Sequence, residues 1–333
     1  MMLRSFFRHY LELPEKEASI ACLGGGVGTS QILKGLRTLP VKLTAIVSMA
    51  DDGGSAGRLR RAFQVPPSGD LVTCLAALSD EESVLKDLFL YRFAGKRYGK
   101  DTDLGGQKLG NLIFVALTDI FKGDTNKALE EFSKIVSPKG RVLPATVGDV
   151  NIWAKTQNGK KIYGEENIDL GKYDGTRSLS EVHLDPENVK AYKHSVDAIK
   201  NADLIIIGPG DLFTTILPVL LVPQINSEIK KSKALKVFIV NIANKPFETA
   251  NYKVSNFISM LEKHLSGIYF DRIIINTNQK PTIPKDLDYE YVKYDPKNLS
   301  KYSHLIKEGD FISVEYPLYH DSEKIAKYIT SLI

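Results

Sequence analysis

The sequence predicts an α/β fold: a Rossmann-like, mostly parallel, doubly wound sheet with a small antiparallel β excursion. Three observations predict it. Residues 19–36, SIACLGGGVGTSQILKGL, read as strand, glycine turn and helix. Short apolar runs then recur down the chain, each ending in glycine, asparagine or aspartate. Over about residues 140–185 the texture changes to brief β-like runs separated by turn residues. The expected organisation is an N-terminal extension over 1–17 and a single domain over 18–333.

Ile20, Cys22 and Leu23 form the first apolar run, which Gly24, Gly25, Gly26 and Gly28 break; Ile32, Leu33 and Leu36 then recur at helical spacing. A glycine turn opening a helix suits an anion, because unpaired N–H groups and the positive end of the helix dipole both point at the turn. Residues without a Cβ let phosphate oxygens approach. Gly24, Gly25, Gly26, Gly28 and Thr29 are therefore expected to bind a nucleotide. The dinucleotide fingerprint G-x-G-x-x-G is incomplete, since Thr29 stands where the third glycine belongs. No Walker lysine follows Gly28, which argues against a P-loop NTPase. A tight turn without a ligand is the alternative.

Residues 43–47, LTAIV, read as a second buried strand, one helix away and hence a parallel neighbour of the first. It runs into the turn carrying Asp51 and Asp52. An acid here holds ribose hydroxyls in dinucleotide-binding folds. Two acids beside a diphosphate make sense if a cation such as Mg²⁺ bridges them, and a solvated acidic turn is the other reading. Arg58, Arg60 and Arg61 follow on one helical turn, and Arg58 is the candidate for a phosphate or carboxylate. The rigid turn at 66–70, PPSGD, delivers Asp70 to the start of a helix, either as its N-cap or as a third carboxylate over the same pocket. A second glycine-rich helix entry ends in Asn111, placed to bond a base or sugar or else to pack two helices closely.

From Arg141, the runs RVLPATV, VNIWAKT and KKIYG form the antiparallel excursion, with Asn158-Gly159 as a hairpin turn. The stretch up to about residue 180, with Gly164, Gly171, Asp174 and Gly175, reads as irregular and exposed. Residues 204–207 form a buried strand whose carboxyl end meets Gly208, Pro209 and Gly210. Two more strands follow, over 235–240 and 272–276, and Asn241 ends the first. The segment EKIAKYITSLI is a closing helix. Polar residues collected along one edge are what a ligand crevice looks like in sequence.

A net charge of +4 with 25% charged residues falls short of a nucleic-acid binder, so no nucleic-acid partner is expected. Cys22 and Cys74 lie in apolar segments away from ligand spacing, which points to a reducing cytoplasm. The first 17 residues lack an apolar core and cleavage site of the secretory kind and read as a short amphipathic helix lying on the body of the protein or, as the alternative, on a membrane surface. No stretch reaches the ~20 apolar residues of a spanning helix, so an integral membrane protein is not expected. None of the six histidines has a partner at metal or triad spacing, and surface or structural roles are assigned to all of them, His320 included.

Several motifs in one order resemble the CofD-like group, which comprises 2-phospho-L-lactate transferases and the YvcK-type gluconeogenesis factors. The YvcK-type branch reads GGGTG, AIVTVADDGGSSGRLR, PPGD, GHSLGN, GRVLP, IGPGSLYTSVLPNLL and NIMTQPGET; here residues 24–28, 45–60, 66–70, 106–111, 140–144, 207–221 and 241–249 are similar. The resemblance implies a nucleotide lying across the glycine loop. For the transferases it implies a divalent metal held by acids matching Asp51, Asp52 and Asp70, and passage of a phospholactyl group onto a deazaflavin alcohol. For the YvcK-type branch it implies a UDP-sugar-binding protein that supports cell-wall synthesis, cell shape and gluconeogenic growth. This chain looks closer to that second branch. If it is an enzyme, Asp52 and Asp70 are its expected catalytic and Mg²⁺-holding residues. A homodimer is compatible with this reading. A nicotinamide-dependent oxidoreductase is the least favoured alternative. Gln107, Lys108, Asp211, Phe213 and Phe247 depart from the branch pattern; Gln107 cannot act as an acid or base, and Asp211 adds negative charge near the expected phosphates.

Overall fold

In the computed structural model, residues 17–79, 84–173, 179–284 and 287–333 are described. The amphipathic helix expected before Glu17, and Asp174 and Gly175, lie outside them.

The strands in chain order are β1 Ser19–Gly24, β2 Lys42–Val47, β3 Arg141–Pro144, β4 Asn151–Thr156, β5 Lys161–Tyr163, β6 Leu179–Asp185 and β7 Leu204–Ile207. They continue as β8 Leu235–Ile239, β9 Ala243–Asn244, β10 Arg272–Asn276, β11 Glu290–Tyr291 and β12 Ile306–Gly309. Seven of them form one sheet in the order β12-β10-β8-β7-β1-β2-β3, with every neighbouring pair parallel. The fold is the Rossmann-like α/β architecture that the sequence predicts. β4 sits between β5 and β6 in a three-stranded antiparallel sheet, and β9 pairs with β11. One expectation shifts here. Arg141–Pro144, read as the start of the antiparallel excursion, pairs in parallel with β2 and forms the edge of the main sheet. A four-residue β-run carries no mark of the direction in which it pairs.

The apolar runs explain the order of burial. β7 is buried at all four positions, and β1 is buried from Ile20 onward, as befits strands covered on both faces. Their register sets Cys22 beside Ile206 and Leu23 beside Ile207. Helix Gly26–Leu36 packs against Gly69–Leu78 and Ser322–Thr330, while helix Lys193–Lys200 packs against Pro223–Lys231. Right-handed crossovers running outward in opposite directions from β1 and β7 place these two groups on opposite faces of the sheet. Between β1 and β7 the strand order reverses, and open α/β sheets bind ligands outside the carboxyl ends at that switch point.

Candidate functional site

Two glycine turns meet at the switch point. Gly24 ends β1, Gly25 is the N-cap of helix Gly26–Leu36, and Gly26 takes a positive φ of 62° that favours glycine. The second turn, Gly208 to Gly210, follows β7. A Cβ on Gly28 would lie 2.9 Å from the Pro209 carbonyl oxygen, so the turns touch only because Gly28 has no side chain. Thr29, expected at the nucleotide, is fully buried; its hydroxyl accepts from Gly25 N–H at 2.8 Å and donates to Pro209 O at 3.0 Å. Thr29 therefore ties one turn to the other. Asn241 closes the second turn by donating to Gly210 O at 2.8 Å and accepting from Gly210 N–H at 3.3 Å.

A cavity of about 330 Å³ opens above these turns. Gly25, Gly26, Gly28, Pro209, Gly210, Asn241, Asp51 and Asp70 line it, as the sequence predicts for the crevice. Gly24, Thr29, Gly208, Asp52, Arg58 and Asn111 are not among its lining residues. Asp51 faces the cavity, while Asp52 accepts from Glu166 N–H at 2.8 Å. Of the acids expected at a metal or at catalysis, Asp70 lines the cavity and Asp52 does not; Asp51 stands there instead. Arg58 is likewise reassigned. It is 1% exposed and donates to Lys100 O at 2.9 Å and Gly105 O at 2.8 Å, which leaves it no reach to a phosphate. Arg60 pairs with Asp149 and Arg61 with Asp101. Asn111 is fully buried and its amide N–H faces Ser55 at 3.4 Å, the packing alternative.

Several lining residues were not singled out from sequence. Glu165 and Asp169 stand on the short helix Glu165–Asp169, which leads from β5 toward β6, so the antiparallel unit builds one wall of the cavity. Arg97 comes from an irregular loop, and Lys245, Tyr289, Tyr319 and His320 from segments beyond β8. Lys245 bridges Asp169 at 2.7 Å and Asp211 at 2.9 Å. The charge of Asp211 is thereby matched inside the protein. Buried Glu248 accepts from Phe213 N–H, Thr214 N–H and the Thr214 hydroxyl at 3.0, 3.2 and 2.8 Å. Asp169, Asp211 and Glu248 could by geometry hold a cation, and the Lys245 ammonium already serves the first two.

The electrostatics are unusual for an anion site. Among the described lining residues, five carboxylates (Asp51, Asp70, Glu165, Asp169, Asp211) face two cations, Arg97 and Lys245. Burial, reinforced by Asp51, pushes the Asp70 carboxyl up to about 7, and Gly26 N–H donates to it. Burial also raises Asp51, which shares a hydrogen bond with Glu165, and burial next to Asp51 raises Glu165 itself. Burial and the neighbouring Arg92 pull Lys108 down to about 8, and its ammonium donates to Thr73 at 2.9 Å. Burial lowers Lys245 too, but Asp211, Asp169 and Glu248 outweigh it and hold the ammonium above its ordinary range. Such a site takes up protons or a cation readily near neutral pH.

Comparison with known proteins agrees with this geometry. The family described as 2-phospho-L-lactate transferase CofD matches residues 20–312. The gluconeogenesis factor of Bacillus subtilis is 39% identical over 96% of this chain and 99% of its own length. The putative gluconeogenesis factor of Aquifex aeolicus is also 39% identical, over 96% and 97% respectively. The crystal structure of protein BH3568 from Bacillus halodurans superposes with a TM-score of 0.85 at 34% identity, covering 95% of this chain and all of that one. With match, fold and switch-point cavity in agreement, this chain belongs to the CofD family, among relatives named gluconeogenesis factor.

Proposed function

We propose that the protein is a cytoplasmic nucleotide-sugar-binding protein of the gluconeogenesis-factor type, taking a UDP-sugar and acting in carbon metabolism, cell-wall synthesis and cell shape. The observation that supports this is the meeting of two glycine turns, at Gly25, Gly26 and Gly28 and at Pro209 and Gly210, over one cavity at the switch point. The N–H groups of Gly25, Gly26 and Gly210 already donate to Thr29, Asp70 and Asn241, so those of Val27 and Gly28, in the first turn of the helix, are the fitting partners for a phosphate. Arg97, at the exposed end of the lining, adds the cation that Arg58 does not supply.

Lys245 offsets Asp169 and Asp211, whereas Asp51, Asp70 and Glu165, where ionised, repel a bare diphosphate. Asp51, Asp70 and Glu165 are hard oxygen donors that fit Mg²⁺. When bound, such an ion supplies the positive charge between carboxylates and phosphates. The protein's own part is to hold the diphosphate on main-chain amides and to keep Asp70 against the glycine turn. Isothermal titration calorimetry with UDP-N-acetylglucosamine, with and without Mg²⁺, tests the reading; no heat at millimolar ligand overturns it.

A second reading is transfer of a phosphorus-containing group from a nucleoside diphosphate derivative to an alcohol such as a deazaflavin. It is favoured by Asp70, whose carboxyl near 7 is matched to removing a proton from a hydroxyl. Metal-dependent release of a nucleoside monophosphate, lost in Asp70→Asn, is its test.

A further inference from the structure

A second recess lies at the opposite edge of the main sheet. A groove of about 620 Å³ opens at the amino ends of β1, β2 and β3, where Ser19, Lys42 and Arg141 begin their strands. β1 is six residues long, so the groove stands roughly 20 Å from the glycine turns, and no described residue lines both. Helix Lys193–Lys200 forms one bank. His194, Asp197 and Ala198, followed by Asn201 at the C-cap, recur along it at helical spacing, while Ser195 and Ile199 are buried on the other side. A stripe from residue 194 to 201 is about 10 Å long, the length of three extended residues.

The charge in the groove is mostly positive. Lys42 and Arg141 are exposed, and neither side chain makes a hydrogen bond or ion pair among the described residues. Arg37, which also donates to Ala77 O at 3.2 Å, and Lys139 add two further cations to the lining. Of the two lining acids, Asp197 is matched by Lys193 at 2.8 Å, which leaves Glu17 against four cations. Among these charges lie half-buried Leu39, Val41 and Ala198.

We propose that this groove is a docking site for a peptide segment of a partner protein in which acidic and aliphatic side chains are interspersed. An extended peptide alternates its side chains, so one row can meet Leu39, Val41 and Ala198 while the other meets the cations. Those cations are spread over two segments, 37–42 and 139–141, which suits carboxylates spaced along a chain better than one phosphate. Nucleic acid fits less well, because none of the described lining residues is Phe, Tyr or Trp and a base finds no such ring to stack on. The docking site is independent of the nucleotide-sugar reading, since the two recesses share no described lining residue.

The probe is a capped hexapeptide of alternating glutamate and leucine, titrated calorimetrically into the full chain. Heat is expected at submillimolar peptide and none from a lysine–leucine control. Lys42→Glu and Arg141→Glu are each expected to weaken binding at least about tenfold, and raising NaCl from about 20 to about 200 mM is expected to weaken it too, as exposed ion pairs are screened. Amide resonances of the labelled protein should shift within 37–44, 139–141 and 194–201. No heat from the glutamate peptide, equal heat from the lysine control, or shifts confined to other residues overturns the proposal. Tighter binding of a thymidine hexanucleotide at these residues overturns it in favour of nucleic acid. Circular dichroism checks that the variants fold; should a charge reversal fail to, Lys42→Gln and Arg141→Gln give the same comparison.

Discussion

Gly25 and Asp70 are in contact. A Cβ on Gly25 would sit on Oδ2 of Asp70, 2.9 Å from its Cγ and 3.1 Å from the Thr215 methyl group. The glycine turn and the Asp70 carboxylate thus form one surface. Gly25→Ala is expected to push that carboxylate aside, weaken nucleotide binding more than tenfold, and cost about 1–3 kcal/mol by overpacking. Calorimetric titration and thermal melting measure the two effects separately; an alanine variant that binds as wild type refutes the shared surface.

Asp70 and Glu248 predict how stability depends on pH. Burial raises both, Asp70 with help from Asp51 to about 7 and Glu248 with help from Asp211 to about 8. A carboxyl raised on folding holds a proton that the unfolded chain has already released, so its contribution is intact below the unfolded value near ~4 and is lost as pH rises to the folded value. Thermal stability is therefore expected to fall between about pH 4 and pH 8. Asp70→Asn should flatten the part of that fall below pH 7 by on the order of 1–2 kcal/mol, a figure discounted for the carboxyl's opening to the cavity. Scanning calorimetry across this range is the check, and an unchanged slope in the variant refutes it.

Lys245 holds together groups that otherwise repel. Lys245 and its two partners are half-buried, and Lys245→Met, which leaves both carboxylates uncompensated, is expected to destabilise by roughly 1–2 kcal/mol, less than for a fully buried pair. Asp211→Ser in the same background should recover part of the loss, since one of the stranded carboxylates is gone. Denaturant melts of the two single variants and the double close the cycle. Additive losses with no recovery would count against the pairing.

Two arginines should separate cleanly. Arg58→Ala strands the carbonyls of Lys100 and Gly105 and should cost about 2–4 kcal/mol of stability, with affinity in the folded fraction close to wild type. Exposed Arg97→Ala should change stability by about 0.5 kcal/mol or less and weaken nucleotide binding roughly tenfold. Melting curves and titrations on both variants decide, and the reverse pattern would restore Arg58 to the site.

Chelation of divalent ions is expected to weaken nucleotide binding by at least about tenfold, since the acidic lining then meets the diphosphate unscreened. Titration in EDTA against Mg²⁺ reads this directly. Equal affinity in the two buffers would mean that protons on Asp51, Asp70 and Glu165 do the neutralising instead.

Much of the main sheet was legible because its strands are apolar runs that end in polar punctuation, as at Gly25, Gly208 and Asn241, and Asp70 was legible from the rigid turn before its helix. Asp51 and Asp52 were legible only as a pair. They lie in a turn beyond β2, where no strand alternation says which acid faces the cavity, so the choice of Asp51 came only from the fold. Arg58 misled because a guanidinium satisfied by buried carbonyls is indistinguishable in sequence from one that holds phosphate. Arg97, Glu165, Lys245 and His320 could not be read. Each owes its place to a long-range closure, such as Lys245 meeting Asp169, that no local pattern encodes.

The wall bearing Glu165 and Asp169 belongs to an insert between β3 and β7 whose Ile152, Ala154 and Val182 are buried in the same hydrophobic cluster as the main sheet. Mutations on its buried face reach that shared core, whereas mutations on its cavity face alter the wall and leave the parallel strands in place. Paralogues inheriting the same floor are therefore free to diverge in diet, and selection for a new ligand would leave its earliest marks in the insert.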